Sequence, residues 1–144
     1  MALCGITYRC GHTDTVQIKG INWFGKRKKK IAWYGTIDCP ACRLAKARQE
    51  HDGLPALEGS DEQVVRAADI REKMVVLLKV LERLDEAQKE HDRRAGLGTT
   101  EDQKAFARTV AWIKAQASAS WWIDHQDQSE AMLAAREALH EQET

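Results

Sequence analysis

The chain contains no apolar run longer than about half a dozen residues, against the roughly 20 needed to cross a bilayer. The N-terminus likewise lacks a long apolar segment of the kind that targets secretion. A soluble, unprocessed, cytoplasmic protein is therefore expected. Net charge is absent too, with 22 Lys and Arg balancing 22 Asp and Glu, so the whole chain is no general polyanion binder. Nor is there a Ser/His/Asp set, a Gly-rich phosphate loop or an HExxH helix, which removes the commonest catalytic signatures. Two His-Asp dipeptides, His51-Asp52 and His91-Asp92, resemble acid-base dyads by residue type only. Each sits near an expected helix end, where polar residues are routine.

The balanced charge is unevenly placed. Residues 1 to 53 hold ten Lys or Arg against four acids, a net +6, and the remainder carries the compensating −6. The two parts are expected to present separate electrostatic surfaces.

Cysteine is sparse, four in 144 residues, but its spacing is informative. Cys10-Gly-His12 and Cys39-Pro-Ala-Cys42 are two short turns rich in metal donors, and a structural zinc, Zn2+, accepts Cys3His as readily as Cys4. In a reducing cytosol a metal also accounts for these thiols better than a disulfide does. The expected ligands are Cys10, His12, Cys39 and Cys42, with Cys4 the alternative to His12. The bland account is free buried thiols and a surface histidine.

Alternation over residues 6 to 10 and 14 to 19 predicts a β-hairpin with Cys10 and His12 at its tip. Trp23 to Tyr34 reads either as a second hairpin or, preferably, as a short helix closed by Gly35, with lysines 28 to 30 near its negative end. Lys26, Arg27, Lys28, Lys29 and Lys30, interleaved with Trp23, Phe24, Trp33 and Tyr34, form a candidate nucleic-acid surface that joins phosphate-seeking charge to stacking faces. A solvated loop over a small aromatic core explains the same residues. Pro40 then opens a helix to about residue 51.

Residues 53 to 59 read as a linker between a zinc-ribbon domain, 1 to 52, and a helical part, 60 to 144. Ser60-Asp-Glu-Gln63 is a capping box opening a helix to about Arg94, with Ile70, Met74, Leu77, Leu81, Leu84 and Gln88 expected inward. Gly96-Leu97 and a second capping box, Thr100 to Gln103, predict a tight reversal and a long antiparallel helical hairpin. The return helix carries Phe106, Val110, Ile113, Ala117 and Trp121 on one stripe and Trp112, Ala115, Ala119 and Trp122 on the next. A last helix spans about 129 to 141. The expected class is mainly α with a small N-terminal zinc ribbon.

Cys10, Gly11, His12, Cys39, Pro40 and Cys42, then Leu54, Pro55, Leu57, Gly59, Ser60, Gln63, Ala67, Ile70 and Arg71, then Trp122, Ile123 and Asp124 resemble a pattern in small bacterial and phage zinc-ribbon proteins. The resemblance reaches about residue 126, favours His12 over Cys4 as ligand, and implies a fold without an established activity. Arg66 and Gln126 depart from it, standing where Trp and Arg would be expected. Symmetry about the reversal places Arg71 opposite Asp124 and predicts an ion pair there. Five Trp among nine aromatics suit a binding surface, although Trp in a helical stripe is commonly core.

These features together suggest a non-enzymatic, zinc-binding interaction protein of a phage or mobile element in a bacterial host cell. Its partner would be another protein or nucleoprotein complex, and the acidic helices suggest an anti-defence, anti-CRISPR-like inhibitor of a host nucleic-acid machine. The alternative is a nucleic-acid-binding accessory protein acting through the basic ribbon. A homodimer through the long helix is also left open.

Overall fold

The computed structural model describes residues 2–19 and 25–144, which form two compact units, 1–46 and 47–144. The protein is mainly helical, with one small antiparallel sheet. Trp23 and Phe24, expected in the basic aromatic surface, lie outside the described residues. Among the described residues no helix is long and apolar enough to cross a membrane.

In the first unit, β1 (Ala2–Thr7) pairs with β2 (Thr13–Ile18), running from Ala2 opposite Ile18 to Thr7 opposite Thr13. The strands end earlier than alternation suggested, so residues 8–12 form a longer tip. Alternation along the strands buries Ile6 and Ile18, and Tyr8 follows at the tip. Ile6, Tyr8 and Cys39 pack with Val16, Ile31, Tyr34, Ile37 and Cys42 as a small core, and Tyr8 meets Tyr34 edge-on at 6.0 Å. Burial raises the Tyr8 phenol above its ordinary value.

The helix reading of the Trp23 to Tyr34 stretch holds for its described part, α1 (Lys26–Tyr34). Its polarity corrects one expectation. The helix starts at Lys26, so the lysines occupy its positive N-terminal end. Gly35 closes the helix in a right-handed conformation, φ −68°, so a positive φ is not what requires glycine there. An added Cβ would stand 3.2 Å from the Ala32 carbonyl oxygen and 3.7 Å from that of Thr7. The next helix is α2 (Pro40–Ala47).

In the second unit, α3 (Asp61–Arg94) begins at the expected capping box. The Gln63 amide donates to Ser60 Oγ at 3.3 Å, and the Ser60 amide to Gln63 Oε1 at 3.1 Å. The helix ends in a Schellman motif: Gly96 has φ +79°, its amide donates to the Arg93 carbonyl, and the Leu97 amide reaches Asp92. Thr100 and Gln103 form the second box at the start of α4 (Glu101–Lys114). The chain doubles back far enough for Lys114 Nζ to meet Glu82 Oε1 at 2.6 Å.

Three expectations fail here. The inward face of α3 is Val64, Ala67, Arg71, Met74 and Leu78; of the predicted stripe only Met74 is buried, while Leu77 and Leu84 are exposed. The return is not one helix: α4 stops at Lys114, and α5 (Ala119–Asp124) starts after a break. The cause of the break is the supposed linker. Leu54 and Leu57 are buried, the Glu58 amide donates to the Ala117 carbonyl, and the Ala119 amide donates to that of Glu58. Residues 53 to 59 therefore pack into the second unit, whose boundary falls at Ala47 rather than after 52.

Trp122 is fully buried, and its Nε1 donates to the Gln116 carbonyl at 2.9 Å across the break. Asp127 caps α6 (Gln128–Glu143), which packs mainly through the small residues Ala131 and Ala135. Arg71 is buried, but its Nη1 donates to the Pro55 carbonyl at 2.6 Å, not to Asp124, which is exposed. Burial lowers the Arg71 pKa, and with the guanidinium on the Pro55 carbonyl and Asp124 exposed the predicted ion pair is not formed.

Candidate metal centre

The hairpin tip and the start of α2 are each shaped by local chemistry. Gly11, at φ +90°, turns the tip with its amide on the Tyr8 carbonyl, and the Tyr8 amide returns to His12. At α2, Pro40 occupies the first helical position, where a missing amide hydrogen costs nothing. The Cys42 amide donates to Cys39 Sγ at 3.4 Å, so the thiol sulfur serves as the helix cap.

The two turns are clamped together. The Arg9 amide donates to the Ile37 carbonyl at 2.9 Å. The Arg9 guanidinium straddles the Asp38 carboxylate, at 3.1 Å from Nε and 3.2 Å from Nη2. The hydrogen bond from Arg9 holds the Asp38 carboxyl below its ordinary value. Neither residue featured in the sequence argument. The available signal was that opposite charges directly precede Cys10 and Cys39.

As a result Cys10, His12, Cys39 and Cys42 converge, with their four donor atoms within 4.8 Å of one another. His12 Nδ1 lies 3.3 Å from Cys10 Sγ, 3.4 Å from Cys39 Sγ and 3.3 Å from Cys42 Sγ. A tetrahedral ion with metal-sulfur bonds of about 2.3 Å and metal-nitrogen bonds of about 2.05 Å would set that edge at roughly 3.6 Å. The donors thus already stand near coordination spacing, and none is in a disulfide. His12, not Cys4, completes the set. Cys4 lies back along β1 opposite Val16 and takes no part in the cluster.

The electrostatics favour binding a cation. The Cys39 amide, 3.4 Å from Cys10 Sγ, is the largest influence lowering the Cys10 thiol to about 6, so it is a thiolate at neutral pH. Competition with the Cys39 sulfur, then burial and the neighbouring Cys10, push Cys42 up to about 12. A set of sulfurs crowded this closely cannot all ionise without a cation to share their charge.

The other candidates separate. Lys26, Lys28, Lys29 and Lys30 are exposed along α1 and Arg27 is half-buried, with Lys30 Nζ 6.0 Å from the centroid of the Trp33 ring. His51 Nδ1 contacts the Gln49 carbonyl oxygen at 3.1 Å, and Asp52, at φ 51°, turns the chain. Asp92 accepts from Gln88 and Gln103 rather than from His91. The hydrogen bonds of His51 and Asp92 thus run to other groups than the neighbouring member of each pair.

No protein-family model, curated protein or solved structure matches the chain.

Proposed function

We propose that the protein is a non-enzymatic interaction protein whose basic N-terminal unit is held in shape by one structural zinc. The observation that carries this reading is the closed quartet Cys10, His12, Cys39 and Cys42. Three thiolates and an imidazole at tetrahedral spacing suit a d10 ion that imposes no other geometry. Four protein donors leave no position for a reactive water, which sets the site apart from catalytic zinc. Nearby groups serve to orient ligands: the Cys39 and Cys42 amides hold sulfurs, and the Arg9 to Asp38 fork holds the two turns together.

Elemental analysis of purified protein should find one zinc per chain. Substituting cobalt should produce the absorption of a tetrahedral three-sulfur, one-nitrogen site. Cys42→Ser should lose the metal and Cys4→Ser should keep it. No stoichiometric metal, or loss on Cys4→Ser, would overturn the assignment.

The interaction role is supported by the outer face of α3, where Val76, Leu77, Val80 and Leu84 are exposed. A surface helix would ordinarily be polar there, and a contiguous apolar face marks a protein contact. An inhibitory role against a host nucleic-acid machine draws on the acidic second unit and on the resemblance to phage proteins. Affinity purification from a bacterial host, with and without nuclease, tests it: recovery of a nucleoprotein complex is expected, and recovery of none counts against it.

Nucleic-acid binding is the second reading, and the start of α1 favours it. Five consecutive cations open the helix, its first turn has no acid, and its N-cap Gly25 makes no side-chain cap. A cation in that position costs about 0.3–1 kcal/mol against the helix dipole, so local stability does not explain the run. An external polyanion would. Binding that falls steeply with salt and vanishes when Lys28, Lys29 and Lys30 are neutralised is the expected result, and no binding at low salt refutes it.

A further inference from the structure

We infer that the outer face of α3 is the seam of a two-fold symmetric dimer, in which a second copy of this chain packs antiparallel across Val80. The inference names the occupant of the apolar face on which the protein-interaction reading rests.

Successive residues of an α-helix turn by 100°, and α3 divides accordingly. Val64, Ala67, Arg71, Met74 and Leu78 face the core of the unit. On the opposite side Val76, Leu77, Val80 and Leu84 are 59, 40, 48 and 63% exposed, with exposed Ala87 continuing the row. A helix apolar on two opposed faces is built to be covered twice. Among the described residues of the second unit only the first of those faces is buried.

The row suits its own copy. Turned antiparallel about Val80, it sets Val76 against Leu84 of the second copy, Val80 against Val80, and Leu84 against Val76, each contact occurring twice as two-fold symmetry requires. The charged flank agrees. Arg83 and Glu72 lie on the same edge of the row and are both exposed. The dyad brings Arg83 of each copy within side-chain reach of Glu72 of the other. At about 50 Å, α3 offers ample length for such a crossing.

The test uses the full-length, metal-loaded protein. Light scattering should report twice the 16.3 kDa chain mass at tens of micromolar protein. Val80→Glu, which sets two carboxylates on the dyad, should weaken the dimer by roughly a hundredfold or more while leaving helical content and metal unchanged. Arg83→Glu should also weaken it, and the added Glu72→Arg should restore it.

Val80→Cys should cross-link readily under mild oxidation, whereas Leu97→Cys, more exposed but off the seam, should not. A monomer at every concentration overturns the proposal. So does a dimer indifferent to Val80→Glu. A monomer that captures some other protein through Val80 refutes the second copy while leaving the protein-interaction reading standing.

Discussion

Removing the metal should unfold the first unit and spare the second. Among the described residues of the first unit only Ile6, Tyr8, Ile18 and Cys39 are buried, and units of that size rarely fold unaided. Burying each of the three large side chains contributes about 1.5–3 kcal/mol, whereas a structural zinc contributes roughly 10–16 kcal/mol to the fold it closes. The metal is therefore the larger stabiliser, and its loss exceeds what so small a core can offset.

The size of the change follows from the helices. Nine residues of α1 and seven of α2 lie in the first unit, out of 87 in the six helices, so chelation should remove about a fifth of the far-ultraviolet helical signal. Trp33 is already half exposed, so the loss should be read from the helical signal, while a later thermal transition, reported by Trp112, Trp121 and Trp122, should be unmoved. The measurement is a chelator titration followed by circular dichroism and fluorescence, with zinc added back to restore the signal. An unchanged helical signal after verified metal removal would refute the stapling argument. Loss of more than half of it would refute the division into two units.

Three further outcomes concern the second unit. Trp122→Ala should cost about 3–5 kcal/mol in denaturant unfolding, and Trp122→Phe about 1–3 kcal/mol by leaving the Gln116 carbonyl without its indole donor. A Trp122→Phe cost near zero would deny the hydrogen bond a separate role.

Arg71→Met should be close to neutral or mildly stabilising, because removing a buried cation offsets the loss of the Pro55 hydrogen bond. A loss of about 3 kcal/mol or more would instead indicate a charge partner for Arg71. The Lys104 hydrogen bond holds the Glu101 carboxyl below its ordinary 4.5, so its contribution is present above that pH and lost as pH falls through the lowered value. Glu101→Gln should accordingly destabilise the unit at neutral pH and have no effect in strong acid, as paired melting curves would show.

Features governed by neighbours in sequence were legible from the residues. Ser60 with Gln63, Thr100 with Gln103, and Gly96 with Leu97 satisfy backbone groups three to five positions away, so their chemistry is complete within one turn. The donor quartet was legible for the same reason, each half being a short turn. The choice between Cys4 and His12 was not settled by the residues alone, because it depends on how far the strands run before the tip.

The sequence by itself determined where α3 and α4 start, where α3 ends, and which few residues were candidates to hold a metal. Tertiary packing decided the rest. The phase of α3 was ambiguous because apolar residues occupy two faces of that helix, so periodicity alone cannot say which one turns inward. The break between α4 and α5 follows from Glu58, some 60 residues earlier in the chain, whose backbone takes the hydrogen bonds of Ala117 and Ala119. Arg71 likewise finds the Pro55 carbonyl rather than Asp124, because the packed 53–59 segment brings an acceptor to it. Contacts between distant segments depend on which surfaces meet, and no local pattern encodes that.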